Sequence, residues 1–61
     1  MPEVHVFLAE GRTPEQKKAL MKEITDAVVK TINAAAENVT VQIIEAKKTD
    51  KAKGGVPFTE R

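Results

Sequence analysis

Two short stretches of alternating residues flank one long amphipathic stretch, and no other segment is large enough to cover them. Glu3 to Leu8 alternates: Val4, Val6 and Leu8 point one way, and Glu3, His5 and Phe7 the other. That period of two is the signature of a strand. Val39 to Glu45 repeats it, with Val39, Val41 and Ile43 on one side and Thr40, Gln42 and Ile44 on the other. Between them, Thr13-Pro14-Glu15-Gln16 opens a helix. Thr13 can cap, Pro14 suits the first helical position, Glu15 sits at the positive end of the dipole, and Gln16 completes a capping box. The helix is expected to run to about Asn33. Leu20, Ile24, Ala27, Val28, Thr31 and Ile32 form its apolar face, and Lys17, Lys18, Lys22, Glu23, Asp26 and Lys30 its polar side.

A crossover of that length favours parallel strands joined in the right-handed sense. The expected fold class is therefore α/β: a β-α-β subunit with two parallel strands and one long helix, in a single domain over residues 1–61. Such a unit cannot close a core. The helix covers one face of a two-stranded sheet and leaves the edges and the other face open. Small chains usually compensate with disulfides, a metal or oligomerisation. This one has no cysteine and a single histidine, so neither a disulfide framework nor a multi-histidine metal site within one chain is available. Extension of the sheet by a neighbouring chain is the expected remedy.

Charge narrows the partners. Ten basic residues against nine acidic ones give a net charge of +1, far from the basic excess of a dedicated nucleic-acid binder. Two phenylalanines are the only aromatics, too few for base-stacking platforms. No apolar run approaches the ~18 residues of a membrane span. The start, Met-Pro-Glu-Val-His, lacks the basic leader and apolar core of a signal peptide, and a cytoplasmic location is expected. The Asn38-Val39-Thr40 glycosylation acceptor is discounted for the same reason. Lys47 to Lys53 reads as a polar, basic loop and Gly54-Gly55 as a flexible turn. Val56-Pro57-Phe58 reads as an apolar hook that would fray in a monomer and dock on a neighbour in an oligomer.

Four kinds of residue could carry chemistry. Pro2 follows the initiator methionine. Trimming of Met1 would expose a prolyl nitrogen, a secondary amine at the start of a strand. An ordinary α-amino group titrates at about 7.7–8.0. An apolar site and a nearby cation both lower that value and free the amine as a general base or nucleophile. On its own, Pro2 reads as a strand start, where proline is tolerated. Arg12 sits on the turn between strand and helix and can hold a carboxylate or a developing oxyanion; on its own it reads as a solvated surface arginine. It and Arg61 are the only arginines, against eight lysines. His5 reads as a structural histidine. Lys47, Lys48, Lys51 and Lys53 read as a solvated loop, or as a contact for an anionic substrate.

Together these features resemble a known family. The chain combines proline directly after Met1, a strand, and Glu10-Gly11-Arg12-Thr13-Pro14-Glu15-Gln16-Lys17 opening the helix. A Val-x-Val-x-Ile-Ile-Glu strand and the late Gly54-Gly55 pair follow. Over nearly its whole length it is similar to the 4-oxalocrotonate tautomerase family. The Gly-Arg-x-x-x-Gln-Lys stretch and the placement of Pro2 are the most specific parts.

The resemblance implies a β-α-β subunit assembled as a homohexamer, and a cofactor-independent isomerase of small 2-oxo acids or their enols. It implies that Pro2 is the general base and that Arg12 binds carboxylate or enolate. No metal is implied. Two positions depart from the family's best-known members: Thr40 stands where they carry a second arginine, and Lys51 where they carry a phenylalanine. Thr40 and Lys51 are accordingly the further expected substrate-binding positions, and Phe58 could restore an apolar wall from a neighbouring chain. With one arginine gone, weak activity on the dicarboxylate 2-hydroxymuconate is expected, and better activity on a monocarboxylate such as phenylenolpyruvate. Two other readings stay open. One is a hydratase or dehalogenase of the same superfamily, with Glu10, Glu45 or Asp50 activating water. The other is a non-catalytic oligomeric binding module on the same scaffold.

Overall fold

A computed structural model describes residues 1–60. Strand β1 spans Glu3–Ala9, helix α1 Pro14–Ile32 and strand β2 Thr40–Ala46, and a small hairpin of β3 (Ala52–Lys53) and β4 (Val56–Pro57) follows. Single 3₁₀ turns occupy Ala36–Asn38, Lys48–Asp50 and Phe58–Glu60. β1 and β2 pair in parallel, with Glu3 opposite Thr40, Val6 opposite Ile43 and Ala9 opposite Ala46. The α/β class and the β-α-β order are as the sequence implies. Both strands start at one end of the sheet, the head, and both finish at the other, the tail.

The helix starts where its capping chemistry dictates. The Gln16 amide donates to Thr13 Oγ1 at 3.1 Å, and the Thr13 amide donates back to Gln16 Oε1 at 3.0 Å. It ends at Asn33, whose φ of 57° and ψ of 39° put it in the left-handed region. Asparagine tolerates that region better than most residues.

The face that α1 turns to the sheet differs from the expected one. Lys17, Leu20, Met21, Ile24, Thr25, Val28 and Val29 are the partly covered positions, whereas Ala27, Thr31 and Ile32 are exposed. The apolar stripe is wider than the sheet it can cover, so contact falls toward its Met21–Thr25 side. At ~1.5 Å per residue the helix is about 28 Å long, while the strands span roughly 20 Å. Its last turn outruns them, and Ile32 is left 62% exposed. Lys17, expected on the polar side, lies on the contact stripe, and its amine donates to Glu45 Oε1 at 3.0 Å.

The tail of the chain forms a hairpin where the sequence suggests a flexible turn and an apolar hook. Gly54 and Gly55, at φ 61° and 81°, both occupy the left-handed region, as a tight two-residue hairpin turn requires. Lys53 pairs with Val56 and Ala52 with Pro57. The Phe58 amide then donates to the Lys51 carbonyl at 2.8 Å.

No described residue is buried. Val4, Val6 and Leu8 are half-buried on one face of β1, while Glu3, His5 and Phe7 are exposed on the other. Phe7 is 69% exposed, and full burial of such a side chain is worth about 1.5–3 kcal/mol. Burial this slight leaves little to offset the cost of ordering the chain.

Candidate active site

Parallel pairing separates the expected site residues into two groups. Pro2 stands at the head. The Thr40 amide donates to its carbonyl at 3.0 Å, so the start of the chain is clipped to the start of β2. Pro2 is half-buried, whereas Met1 before it is 94% exposed. Thr40 is therefore Pro2's direct neighbour.

Arg12 stands at the tail, beyond the far end of β1 and roughly 20 Å from Pro2 by strand length alone. It lies between two clefts. One, of about 260 Å³, is lined by Leu8, Arg12, Gln16, Lys17 and Leu20. The other, of about 370 Å³, is lined by Leu8, Ala9, Glu10, Gly11, Arg12, Lys48 and Phe58. Arg12 is presented by Gly11, whose φ of 126° lies outside the range that side chains favour. A single chain brings Pro2 and Thr40 together, and it does not bring either of them to Arg12.

Lys51 also belongs to the tail. Its amine lies 5.9 Å from the centre of the Phe58 ring, within range of a cation–π contact. It is not among the residues lining the Arg12 clefts. Phe58, expected to supply an apolar wall from a neighbouring chain, already lines the tail cleft of its own.

Lys48 was hidden in the run of lysines. Its side chain crosses Gly11, with Cε and Nζ each 3.9 Å from where a Cβ would stand, and its amide donates to Glu10 Oε2 at 3.1 Å. The Glu10 amide in turn donates to the Ala46 carbonyl at 2.9 Å. Glu10 thus ties the end of β1 to the turn after β2. The nominated carboxylates do other work: Glu45 pairs with Lys17, and Asp50 accepts from the Thr49 hydroxyl at 3.0 Å.

His5 has a partner the sequence did not reveal. Its Nε2 lies 2.6 Å from Glu3 Oε2, on the open face of the sheet. Among the described residues no three His, Asp or Glu side chains group as a metal site. No described helix is long and apolar enough to cross a membrane.

By architecture the chain is a small α/β subunit of the 4-oxalocrotonate tautomerase kind. It superimposes on TomN, a 4-oxalocrotonate tautomerase homologue of the tomaymycin biosynthetic pathway, with a TM-score of 0.93 and 33% identity, covering 98% of this chain and 92% of that one. It also superimposes on YwhB, another such homologue, with a TM-score of 0.89 and 38% identity over 98% of each chain. The family model described as tautomerase enzyme matches residues 2–61. The chain is 51% identical over 61 residues to the protein of Bradyrhizobium diazoefficiens named probable tautomerase bsl7456, covering 100% of this chain and 91% of that one. The chain belongs to the tautomerase family.

Proposed function

We propose that the protein is a cofactor-independent keto–enol tautomerase of small 2-oxo acids, working in the cytoplasm as an assembly of identical chains. With Met1 removed, the Pro2 nitrogen takes the proton from an enol hydroxyl. The O–H electrons form the carbonyl, the double bond shifts, and the prolinium returns a proton to carbon. The nitrogen ends as it began, so no redox partner or metal is needed. Arg12 holds the carboxylate or the enolate oxygen.

The observation that carries this reading is the separation of Pro2 and Arg12 to opposite ends of β1 in a chain of the tautomerase family. One substrate can meet both only where the head of one chain lies against the tail of another. Pairing two copies in opposite directions meets that need and offers cover for the open sheet. A structural neighbour, the 4-oxalocrotonate tautomerase of Chloroflexus aurantiacus J-10-fl, is a heterohexamer at 27% identity and a TM-score of 0.92; for this chain the reading is a homohexamer. The exposed Met1 is open to removal, and half-buried Pro2 sits where an amine loses part of its hydration. Thr40 brings no cation to the head, so a monocarboxylate such as phenylenolpyruvate suits the site better than 2-hydroxymuconate.

The test is the pH–rate profile for ketonisation of phenylenolpyruvate by protein whose intact mass shows Met1 removed, with Pro2→Ala alongside. The expected result is a rate that follows a base titrating below an ordinary amine and vanishes in the variant. A rate unchanged by Pro2→Ala, or none at any pH, would overturn the reading and favour the binding module.

A further inference from the structure

We propose that Lys48 is a second cation for the substrate carboxylate, acting with Arg12 in the tail cleft, so that two cations of one chain converge on one anion. The proposal rests on the tautomerase reading for its substrate class, and it stands on four features of this structure.

The first is placement. Arg12 and Lys48 line the same cleft, and the Lys48 amine stands 3.9 Å from the place of a Gly11 Cβ, next to Arg12 in the chain. The second is the lack of internal partners. Among the described residues neither side chain forms an ion pair, although two like charges in one cleft repel. Among the described residues the only carboxylate lining the cleft is Glu10, whose Oε2 accepts the Lys48 amide. Two cations against one carboxylate leave a single positive charge, the complement of one carboxylate. The third is anchoring. The hydrogen bond to Glu10 fixes the backbone of Lys48, and its stem passes within van der Waals reach of the place a Gly11 Cβ would occupy. The fourth is the apolar lining of Leu8 and Phe58, a surface on which the uncharged part of an acid can rest beside the two cations.

This arrangement explains how a chain with threonine at the head of β2 can still bind an acid firmly. The carboxylate takes both cations at the tail, and the uncharged remainder extends toward the Pro2 of a neighbouring chain. The substrate class is then a 2-oxo acid or enol with one carboxylate and an apolar remainder. Lys51 is engaged with Phe58 and stands outside this clamp.

The probe is 3-phenylpropanoate, a non-reacting carboxylate of suitable size, titrated into the processed assembly by calorimetry and by competition with turnover. Lys48→Met keeps the amide that bonds Glu10 and removes the charge. The expected result is about tenfold weaker binding, restored within threefold by Lys48→Arg. Lys18→Met, on the solvent side of α1, removes the same charge elsewhere and leaves the affinity unchanged. With phenylenolpyruvate, Lys48→Met should raise KM about tenfold with kcat within twofold. Unchanged affinity in Lys48→Met would overturn the proposal. So would no binding to the wild type, or an equal loss for the methyl ester of the probe. Because probe binding needs no proton transfer, it stays informative even if Pro2→Ala shows the tautomerase reading to be wrong.

Discussion

The amide of Thr40 donates to the carbonyl of Pro2 at 3.0 Å, which fixes the first residue of the fold to the first residue of β2. The bond belongs to the backbone, so the side chain at position 40 is free to vary without releasing Pro2. Thr40→Arg would therefore add a guanidinium at the head while the proline stays in place. Charge-assisted hydrogen bonds contribute about 1.5–3 kcal/mol, and 1.4 kcal/mol is about tenfold in an equilibrium or rate ratio. Steady-state kinetics should show kcat/KM on 2-hydroxymuconate rising about tenfold or more, with a smaller change on phenylenolpyruvate. An equal change on both substrates would count against the assignment of a dicarboxylate deficit to this position.

Phe7 stands 69% exposed on the sheet face opposite α1, in register with Ile44. Phe7→Glu should abolish assembly, because it sets a charge in the middle of the surface that needs cover. Sedimentation should show a smaller species. The wild-type melting temperature should rise with protein concentration, as stability by mass action requires. A variant that keeps the wild-type sedimentation coefficient would show that this face is not where copies meet.

The Thr13–Gln16 box satisfies two amides at the start of α1. Replacing a capping threonine by alanine costs about 1 kcal/mol. For a domain of this size that is a fall of roughly 4–8 °C in melting temperature. Thr13→Ala should show it at fixed protein concentration, with assembly retained.

Gly54 and Gly55 are both left-handed, and nothing stands within 4 Å of the place a Cβ would occupy at either. The cost of a substitution there is conformational and not steric. Gly54→Asn should be tolerated, since Asn-Gly suits this turn. Gly55→Val should cost on the order of 1–3 kcal/mol of local strain. Amide exchange of Lys53 and Val56 reads it directly: faster exchange in Gly55→Val, little change in Gly54→Asn.

The sequence carried β1, α1 and β2 because each has enough turns or alternations for its period to stand out. It nominated Pro2 and Arg12 as site residues because one follows Met1 and the other lies between Gly11 and the Thr13 cap. The hairpin escaped because two-residue strands show no alternation; Gly54-Gly55 between Lys53 and Val56 was its one available signal. The tilt of the helix face escaped because an apolar stripe marks what can be covered, whereas the sheet's width decides what is. Lys48 was legible only as one of four loop lysines, with Lys47, Lys51 and Lys53, and the closure of the tail by Glu10 singles it out. The separation of Pro2 from Arg12 follows from parallel pairing, yet it becomes plain only once the register is known.

That separation reaches beyond one molecule. If each working centre joins the head of one chain to the tail of another, every polypeptide lends half of its equipment to two centres and owns neither. A cell making intact and Pro2→Ala chains together would lose output in proportion to the spoiled heads, whichever tails they meet. Mixing Pro2→Ala with Arg12→Ala chains, each inert alone, would regenerate a fraction of fully equipped centres. Catalytic competence is then inherited by junctions, and the gene encodes only the halves.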